Sequence, residues 1–208
     1  YEGAQDYDLF LRFTEKTNKI FHIPKILYHW RKLSGSTAVT VGNKGYAIQN
    51  GKKALEDALK RRDIKGEVII HEKIPYYSIR YIYDKEPMIS IIIPTKDHTD
   101  ILKCCIDSIY NKTNYKNYEV IVVNNNSEKT ETFELFEMYN KKYSNFKVID
   151  ANMEFNYSKI NNLAVNESKG EYIVLLNNDT EVISPDWLEL MVGYAMQKHI
   201  GTVGVKLL

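Results

Sequence analysis

The stretch EYIVLLNNDTEV at residues 171–182 decides the fold, because an apolar run ends there abruptly in polar residues. Residues 172–176 are predicted to form a strand, and their apolar side chains do not alternate with polar ones, which is typical of a parallel strand covered on both faces. Asn177 and Asp179 follow two residues apart, so both side chains point to the same side of an extended segment. Carboxylate and amide oxygens at the carboxyl end of a strand suit Mg²⁺ or Mn²⁺. A polar loop with an Asx-turn at 178–180 explains this segment alone equally well.

From residue 88 onward, predicted strands alternate with predicted helices. This alternation predicts a parallel sheet with right-handed crossovers. The predicted strands are 89–93, 118–123, 146–149 and 172–176, and the predicted helices are 99–110, 130–142, 157–168 and 185–198. The first, second and fourth strands end in polar residues, at 94–97, 124–127 and 177–179. Because the carboxyl ends of parallel strands meet at one edge of a sheet, we expect these three ends to form one crevice.

The residues before this sheet predict a smaller α+β segment. Its predicted elements are a helix within residues 1–19, an extended segment at 20–31, a long surface helix at 43–62 and an antiparallel strand pair at 66–70 and 76–83. A charged, proline-ended stretch at 84–87 is predicted to be the domain boundary. We therefore expect two domains, at 1–86 and 87–208.

Three residues of the first segment are candidates for chemistry, each with a structural alternative. Asp6 lies near the amino end of the first predicted helix, where a carboxylate is also favoured by the helix dipole alone. His29 and Arg31 lie two residues apart beside the Gly-Ser loop at 34–36 and would face one phosphate if the chain is extended there. Ordinary packing of residues 28–30 is the alternative.

Composition excludes several classes of protein. The 208 residues are 44% hydrophobic, and Lys+Arg 28 against Asp+Glu 27 gives a formal charge of +1, so no overall field favours nucleic acid. Cys104 and Cys105 are adjacent, which fits neither a disulfide framework nor a zinc site and favours a reducing cytoplasm. No apolar run is long enough to cross a membrane, and the first residues show no signal-peptide pattern.

No glycine-rich phosphate loop follows the first strand of the sheet, which disfavours a Rossmann dehydrogenase, a P-loop ATPase and a nucleotidyltransferase. A divalent metal at Asp179 would hold phosphates instead, acting as a Lewis acid that neutralises the charge on a diphosphate leaving group. The strand ends therefore favour nucleotide-sugar chemistry.

Four segments, SIIIPTKD, EVIVVNNNS, FNYSKINNLAV and KGEYIVLLNNDTEVISPDWL, together resemble the nucleotide-binding half of a family-2 glycosyltransferase with the GT-A fold, over residues 88–208. The resemblance implies an α/β fold with a mostly parallel sheet flanked by helices. It also implies a nucleotide-diphosphate sugar donor, a glycan acceptor such as a cell-surface polysaccharide, and Mn²⁺ or Mg²⁺ as cofactor.

The resemblance also implies which residues bind these ligands. Asn124 stands where the family usually has an Asp that holds the nucleotide base. This position therefore keeps a hydrogen-bond acceptor but loses the negative charge. Asn177, Asn178 and Asp179 stand in place of the D-x-D metal motif, with Asp179 as the main metal ligand and Asn177 beside it. The implied nucleotide-sugar contacts are Pro94, Thr95, Asp97, Asn124, Asn126, Asn156, Lys159, Asn161, Asn177 and Asn178.

Residues 1–86 resemble the carboxyl-terminal part of enzymes of the same family. GAQDYDLFLR and IPKILYHWRKLSGSTA look like the acceptor-side half, where Asp6 is the expected general base of an inverting transfer and His29 and Arg31 lie by the diphosphate. The two halves occur in reversed order, so the chain resembles a middle piece of a tandem glycosyltransferase. Asp6 and Asp179 would then belong to different active sites, and we expect little or no transferase activity from these residues alone.

Other organisations stay open at this point. A permuted single domain, or two chains completing each other as a homodimer, would bring Asp6 and Asp179 together. A catalytically silent nucleotide-binding or scaffolding module of the same fold is the alternative function, which the asparagines at 124 and 177 allow. The expected location is the cytoplasm, without a transmembrane segment and with proximity to a membrane surface allowed by a polysaccharide acceptor.

Overall fold

The computed structural model describes residues 1–29, 45–71 and 76–205 of the chain. The fold divides into two units, Tyr1–Tyr83 and Asp84–Leu208. Arg31 lies outside the described residues, and so does the Gly-Ser loop at 34–36. The roles assigned from the sequence to residues 1–86 and 87–208 stay predictions.

The described part of the Tyr1–Tyr83 unit combines two helices with a strand pair: α1 (Gln5–Thr14), α2 (Gly45–Arg61), β1 (Gly66–Ile70) and β2 (Tyr77–Tyr81). The strands are antiparallel, as predicted. Leu55 and Leu59 of α2 are buried against Val68 of β1, because they form the apolar stripe of an amphipathic helix. The predicted first helix exists but is shorter than residues 1–19, and residues 20–29 form no regular element.

The Asp84–Leu208 unit is an alternating α/β structure. Its elements are β3 (Ile89–Thr95), α3 (Thr99–Lys112), β4 (Tyr118–Asn124), α4 (Thr130–Lys142), β5 (Phe146–Asp150), α5 (Tyr157–Asn166), β6 (Tyr172–Leu175) and α6 (Trp187–Ala195). The four strands are parallel and lie in the order β5-β4-β3-β6. The predicted fold class is therefore confirmed, and β4, β3 and β6, whose polar ends were predicted to meet, are neighbours in the sheet.

Continuous apolar runs in β3 and β4 form the centre of this unit. Ile92, Ile121 and Val123 are fully buried and pack against Ile160 and Ala164 of α5. Helical side chains at positions 160 and 164 share one face, so α5 lies flat along the sheet. This packing fixes where the carboxyl ends of β3 and β4 stand.

The prediction that residues 172–176 are covered on both faces was wrong. Among the described residues β6 is an edge strand, paired with β3 alone. Val174 is buried, whereas Ile173 and Leu175 on the other face are exposed, Leu175 by 50%. An unbroken apolar run thus indicated a strand correctly but did not indicate its position in the sheet.

A buried carboxylate connects β3, β4 and β5 near their amino ends. Glu119 of β4 accepts a hydrogen bond from Ser90 Oγ of β3 at 2.7 Å and one from the backbone N–H of Lys169 at 2.7 Å. Lys147 of β5 lies 3.5 Å from the same carboxylate. Burial works to raise the pKa of Glu119, but these hydrogen bonds and the Lys147 charge outweigh it, so the pKa is lowered overall.

This carboxylate predicts an acid-sensitive fold. A carboxyl group with a lowered pKa in the folded state contributes stability that is present above its unfolded pKa of about 4.3 and is lost as the pH falls through the folded value. Glu119→Gln should therefore flatten the loss of stability between about pH 5 and about pH 3, measured by urea unfolding. Glu137→Gln, in an exposed ion pair with Lys141, is the control and should keep the wild-type slope. Equal slopes for both variants and the wild type would contradict the prediction.

No helix among the described residues is long and apolar enough to cross a membrane.

Candidate functional site

A cavity of about 480 Å³ lies at the carboxyl ends of β3, β4 and β6. Its lining residues come from all three strand ends and from the start of α5: Pro94, Thr95, Lys96, Asp97, His98, Asn125, Lys129, Phe155, Tyr157, Asn177 and Asn178. The predicted crevice is therefore present. It has the size of a small-ligand site and carries two lysines at its mouth.

The turn between β3 and α3 is held in an unusual backbone conformation. Asp97 and His98 both have positive φ angles, 53° and 52°. The left-handed region is unfavourable for most side chains but tolerable for Asp. Such strain persists only where other contacts hold it, and it is concentrated at functional sites.

The Asp97 side chain supplies those contacts. Its Oδ1 accepts hydrogen bonds from the backbone N–H groups of Glu128 and Lys129, both at 3.0 Å, and from the Thr132 hydroxyl at 3.3 Å. The hydrogen bond from Lys129 is the main reason why the pKa of Asp97 is lowered. Asp97 thus ties the end of β3 to the start of α4, and a direct contact of its carboxylate with a nucleotide stays a prediction.

Thr95 connects the ends of β3 and β6. It is almost fully buried, and its hydroxyl accepts a hydrogen bond from the Asn178 amide at 3.0 Å. The same hydroxyl lies 3.3 Å from the carbonyl oxygen of Asp97 and donates to it. Two predicted contact residues, Thr95 and Asn178, therefore meet, with Pro94 beside them in the cavity lining.

Asn124, the predicted base-holding residue, uses both ends of its amide within the protein. It is 4% exposed, donates to Asp150 Oδ1 at 2.8 Å and accepts from the backbone N–H of Ser127 at 3.0 Å. Asp150 ends β5, the one strand for which no polar end was predicted. The structure places Asn124 beneath the cavity surface, so its contact with a base stays a prediction.

The next two asparagines hold the loop that leaves β5. Asn125 is buried, and its amide donates to the carbonyl oxygens of Ala151 at 2.8 Å and Met153 at 2.9 Å. Asn126 is exposed, has a φ of 58° and donates to the Met153 carbonyl at 2.8 Å. Both residues fix the chain just before α5.

We expect Asn125→Ala to destabilise the fold by about 1–3 kcal/mol, because it removes the two hydrogen bonds that a buried amide donates to the Ala151 and Met153 carbonyl oxygens. Asn126→Gly removes one exposed hydrogen bond to the same loop without straining the left-handed backbone there, and it should change the stability by less than about 0.5 kcal/mol. Urea unfolding of both variants at neutral pH measures the difference. Equal losses would show that the Ala151 and Met153 carbonyls are satisfied without Asn125.

The start of α5 carries three further predicted contacts. Asn156 is the N-cap, and its Oδ1 accepts from the Lys159 backbone N–H at 3.0 Å. The Lys159 side chain is exposed. Asn161 is buried and donates to the Tyr157 carbonyl, while its Oδ1 has no hydrogen-bond partner within the described part of the chain. Asn156 and Asn161 thus shape the helix start, and their contact with a ligand stays a prediction.

The predicted metal ligands follow β6. Asn177 lines the cavity, and Asp179 lies beside it, exposed and outside the lining set. Behind them, Cys105 of α3 lies 3.7 Å from the Asn177 carbonyl oxygen and 3.8 Å from the Thr180 hydroxyl. Burial raises the pKa of the Cys105 thiol, and the Asp179 charge adds to this effect.

Ser108 holds the same loop further on. Its hydroxyl donates to the Cys105 carbonyl at 2.8 Å and accepts from the Val182 backbone N–H at 2.9 Å. One face of α3 therefore fixes the chain from Asn177 to Val182. Within residues 1–29, 45–71 and 76–205, no group of three or more His, Cys, Asp or Glu side chains converges on a metal position.

The Tyr1–Tyr83 unit holds two of the other predicted site residues. Asp6 lies in the first turn of α1, where its carboxylate accepts the Tyr7 backbone N–H at 2.9 Å. Asp6 therefore lies where the helix dipole alone favours a carboxylate, which was the structural alternative for this residue. The N-cap residue is Ala4. His29 is exposed and lies in an irregular segment.

Sequence reasoning missed four residues that line the cavity: His98, Lys129, Phe155 and Tyr157. Lys96 and Asn125 lie within the strand ends that were predicted to form the crevice, but no ligand contact was assigned to them. One signal for the aromatic pair was present, because Phe155 and Tyr157 flank the N-cap Asn156 and Phe155 precedes the apolar stripe of α5. Lys129 gave no comparable signal, because charged residues at helix ends are common.

Comparisons with known proteins identify a matching family and relatives that match along the whole chain. A family model described as glycosyl transferase family 2 matches residues 90–206. An uncharacterized protein, y4gI, of Sinorhizobium fredii (strain NBRC 101917 / NGR234) is 43% identical over 100% of this chain and 23% of its own length. The O-antigen biosynthesis protein RfbC of Myxococcus xanthus is 38% identical over 100% of this chain and 16% of its own length. The chain thus spans less than a quarter of these two curated relatives.

Among solved structures, the mannosyltransferase PcManGT from Pyrobaculum calidifontis, in complex with GDP-Man and Mn²⁺, matches with a TM-score of 0.52. The match covers 57% of this chain and 35% of that one, at 20% sequence identity. At this identity the likeness shows a shared fold.

Proposed function

Since the chain belongs to glycosyl transferase family 2, we propose that the cavity at the ends of β3, β4 and β6 binds a nucleotide-diphosphate sugar. The observation that carries this proposal is the convergence of three strand ends on one cavity with Lys96 and Lys129 at its mouth. Both lysines are exposed, and Lys96 lies 3.4 Å from Glu128 in an exposed ion pair of the weak kind that a diphosphate can replace. Asp97 is the one carboxylate among the described lining residues, and its Oδ1 accepts hydrogen bonds from two N–H groups at the start of α4.

A divalent metal fits the donor set at the end of β6. Asp179 is an exposed carboxylate for which no hydrogen bond is seen among the described residues, and the amide oxygen of Asn177 lies nearby in the cavity lining. Hard cations such as Mg²⁺ and Mn²⁺ are often bound by one or two protein oxygens, with phosphates and water as the other ligands. Asp179 and Asn177 would hold the ion, which supplies charge neutralisation at the leaving diphosphate.

For the whole protein we propose transfer of the sugar to a polysaccharide or another glycan with inversion. The O-antigen name of one relative supports this acceptor class. Asp6, exposed in the first turn of α1, would act as general base for an acceptor hydroxyl, in a different active site from Asp179. The residues described here would then bind a donor without efficient turnover, and a sugar-nucleotide hydrolysis or transfer assay with Mn²⁺ tests this point.

The central test is calorimetric titration of UDP, GDP and dTDP into the 208-residue chain with and without Mn²⁺. Binding of at least one nucleotide that strengthens with Mn²⁺ supports the donor site. No binding of any nucleotide in either condition overturns it and favours the silent scaffolding module, for which the asparagines at 124 and 177 are the supporting observation.

A further inference from the structure

Two aromatic side chains form one wall of the cavity. Phe155 is 70% exposed and Tyr157 is 43% exposed, and both line the cavity together with His98. An exposed phenylalanine ring is unfavourable in water, since its burial would stabilise the protein. Large apolar groups left open inside a concave site indicate a ligand surface.

The backbone around these rings is fixed, so their exposure does not come from a loose loop. Asn156 between them caps α5 through its bond to the Lys159 N–H, and the Tyr157 carbonyl accepts from Asn161. The preceding residues 151–153 are held by Asn125 and Asn126. The core below is already filled by Ile160 and Ala164, which leaves the rings on the surface.

The polar groups of this wall are largely used within the protein. Asn124, Asn125 and Asn126 all donate their amide nitrogens to protein oxygens. Asn124 also has its Oδ1 engaged, so these three residues offer a base the amide oxygens of Asn125 and Asn126 but few hydrogen-bond donors. An aromatic surface needs no such groups, because every base has a π-face.

We propose that Phe155 and Tyr157 form the stacking surface for the nucleobase of the donor. This inference rests on the proposed donor site and adds that the base is held by stacking and with weak discrimination between bases. The lysines and the metal hold the diphosphate, while the aromatic wall holds the base. The two parts of the ligand thus depend on separate residues.

The test compares UDP, GDP and inorganic pyrophosphate, each titrated into the 208-residue chain with Mn²⁺. Phe155→Ala should weaken both nucleotides by at least about fivefold, because stacking on an aromatic side chain is worth about 1–3 kcal/mol per base and 1.4 kcal/mol is tenfold. Pyrophosphate affinity should not change. Phe155→Trp should restore nucleotide binding, and Tyr157→Ala should behave like Phe155→Ala.

The control is Phe133→Ala, which removes a ring that is 44% exposed on α4 and does not line the cavity. It should leave all three affinities unchanged. Unchanged nucleotide binding by Phe155→Ala, or an equal loss for pyrophosphate, would overturn the stacking surface while leaving the donor site standing. Failure of the wild-type chain to bind any of the three ligands would instead overturn the donor site, and the stacking surface with it.

Discussion

Replacing Gly170 with alanine is expected to destabilise the Asp84–Leu208 unit. A Cβ at this position would lie 2.4 Å from the Ser90 backbone nitrogen and 2.8 Å from the Tyr172 carbonyl oxygen. Both atoms belong to the backbone of adjacent strands and cannot rotate away. The Ser90 hydroxyl, which accepts the Gly170 N–H at 2.9 Å, would lie 2.7 Å from the same Cβ.

The expected loss is about 1–3 kcal/mol or more, which is the usual cost of forcing an extra group into a packed site. The displaced Ser90 would also weaken its hydrogen bond to the buried Glu119 carboxylate. Gly201→Ala is the matched control, because a Cβ there meets no atom within 4 Å. Urea unfolding at neutral pH compares the two variants. A Gly170→Ala protein as stable as Gly201→Ala would show that β3 and the residues before β6 can move apart.

The sequence predicted most of the fold because most of its elements are marked locally. The apolar runs of β3 and β4 and the 3.6-residue periodicity of α4 depend only on nearby residues. The position of β6 at the sheet edge depends on which other segments pair with it. That information is not present in the run 172–176 itself, which explains why its exposed face was not predicted.

The site was predicted less completely for a related reason. The polar residues at the strand ends could be identified, but the sequence did not show which of them bond to the protein and which face the cavity. Asn124 and Asn125 are adjacent, yet Asn124 bonds to Asp150 beneath the surface while Asn125 lines the cavity. Pairings of this kind link residues far apart in the chain. A polar strand end therefore predicts where a site lies better than it predicts which side chain contacts the ligand.

Asp179→Asn should abolish the enhancement of nucleotide binding by Mn²⁺. The change keeps an oxygen in place but removes the charge, and a hard divalent cation depends on that charge when few protein ligands are offered. Loss of a residue that merely supports a metal ligand costs about 10–100-fold in metal affinity, so loss of the carboxylate itself should cost at least about tenfold. Nucleotide affinity without metal should not fall, because the two lysines are unchanged and one negative charge near the diphosphate is removed.

Glu181→Gln is the matched control for this prediction. It removes the same charge two residues further on, where the carboxylate is exposed and paired with Lys112 at 2.6 Å. Titration of UDP with and without Mn²⁺ into both variants separates a metal ligand from a general electrostatic effect. If Glu181→Gln loses the Mn²⁺ enhancement equally, the local field rather than coordination is responsible. If Asp179→Asn keeps the full enhancement, the metal is bound elsewhere. Since α3 holds the loop through Cys105 and Ser108, neither exposed substitution should alter the fold that presents these carboxylates.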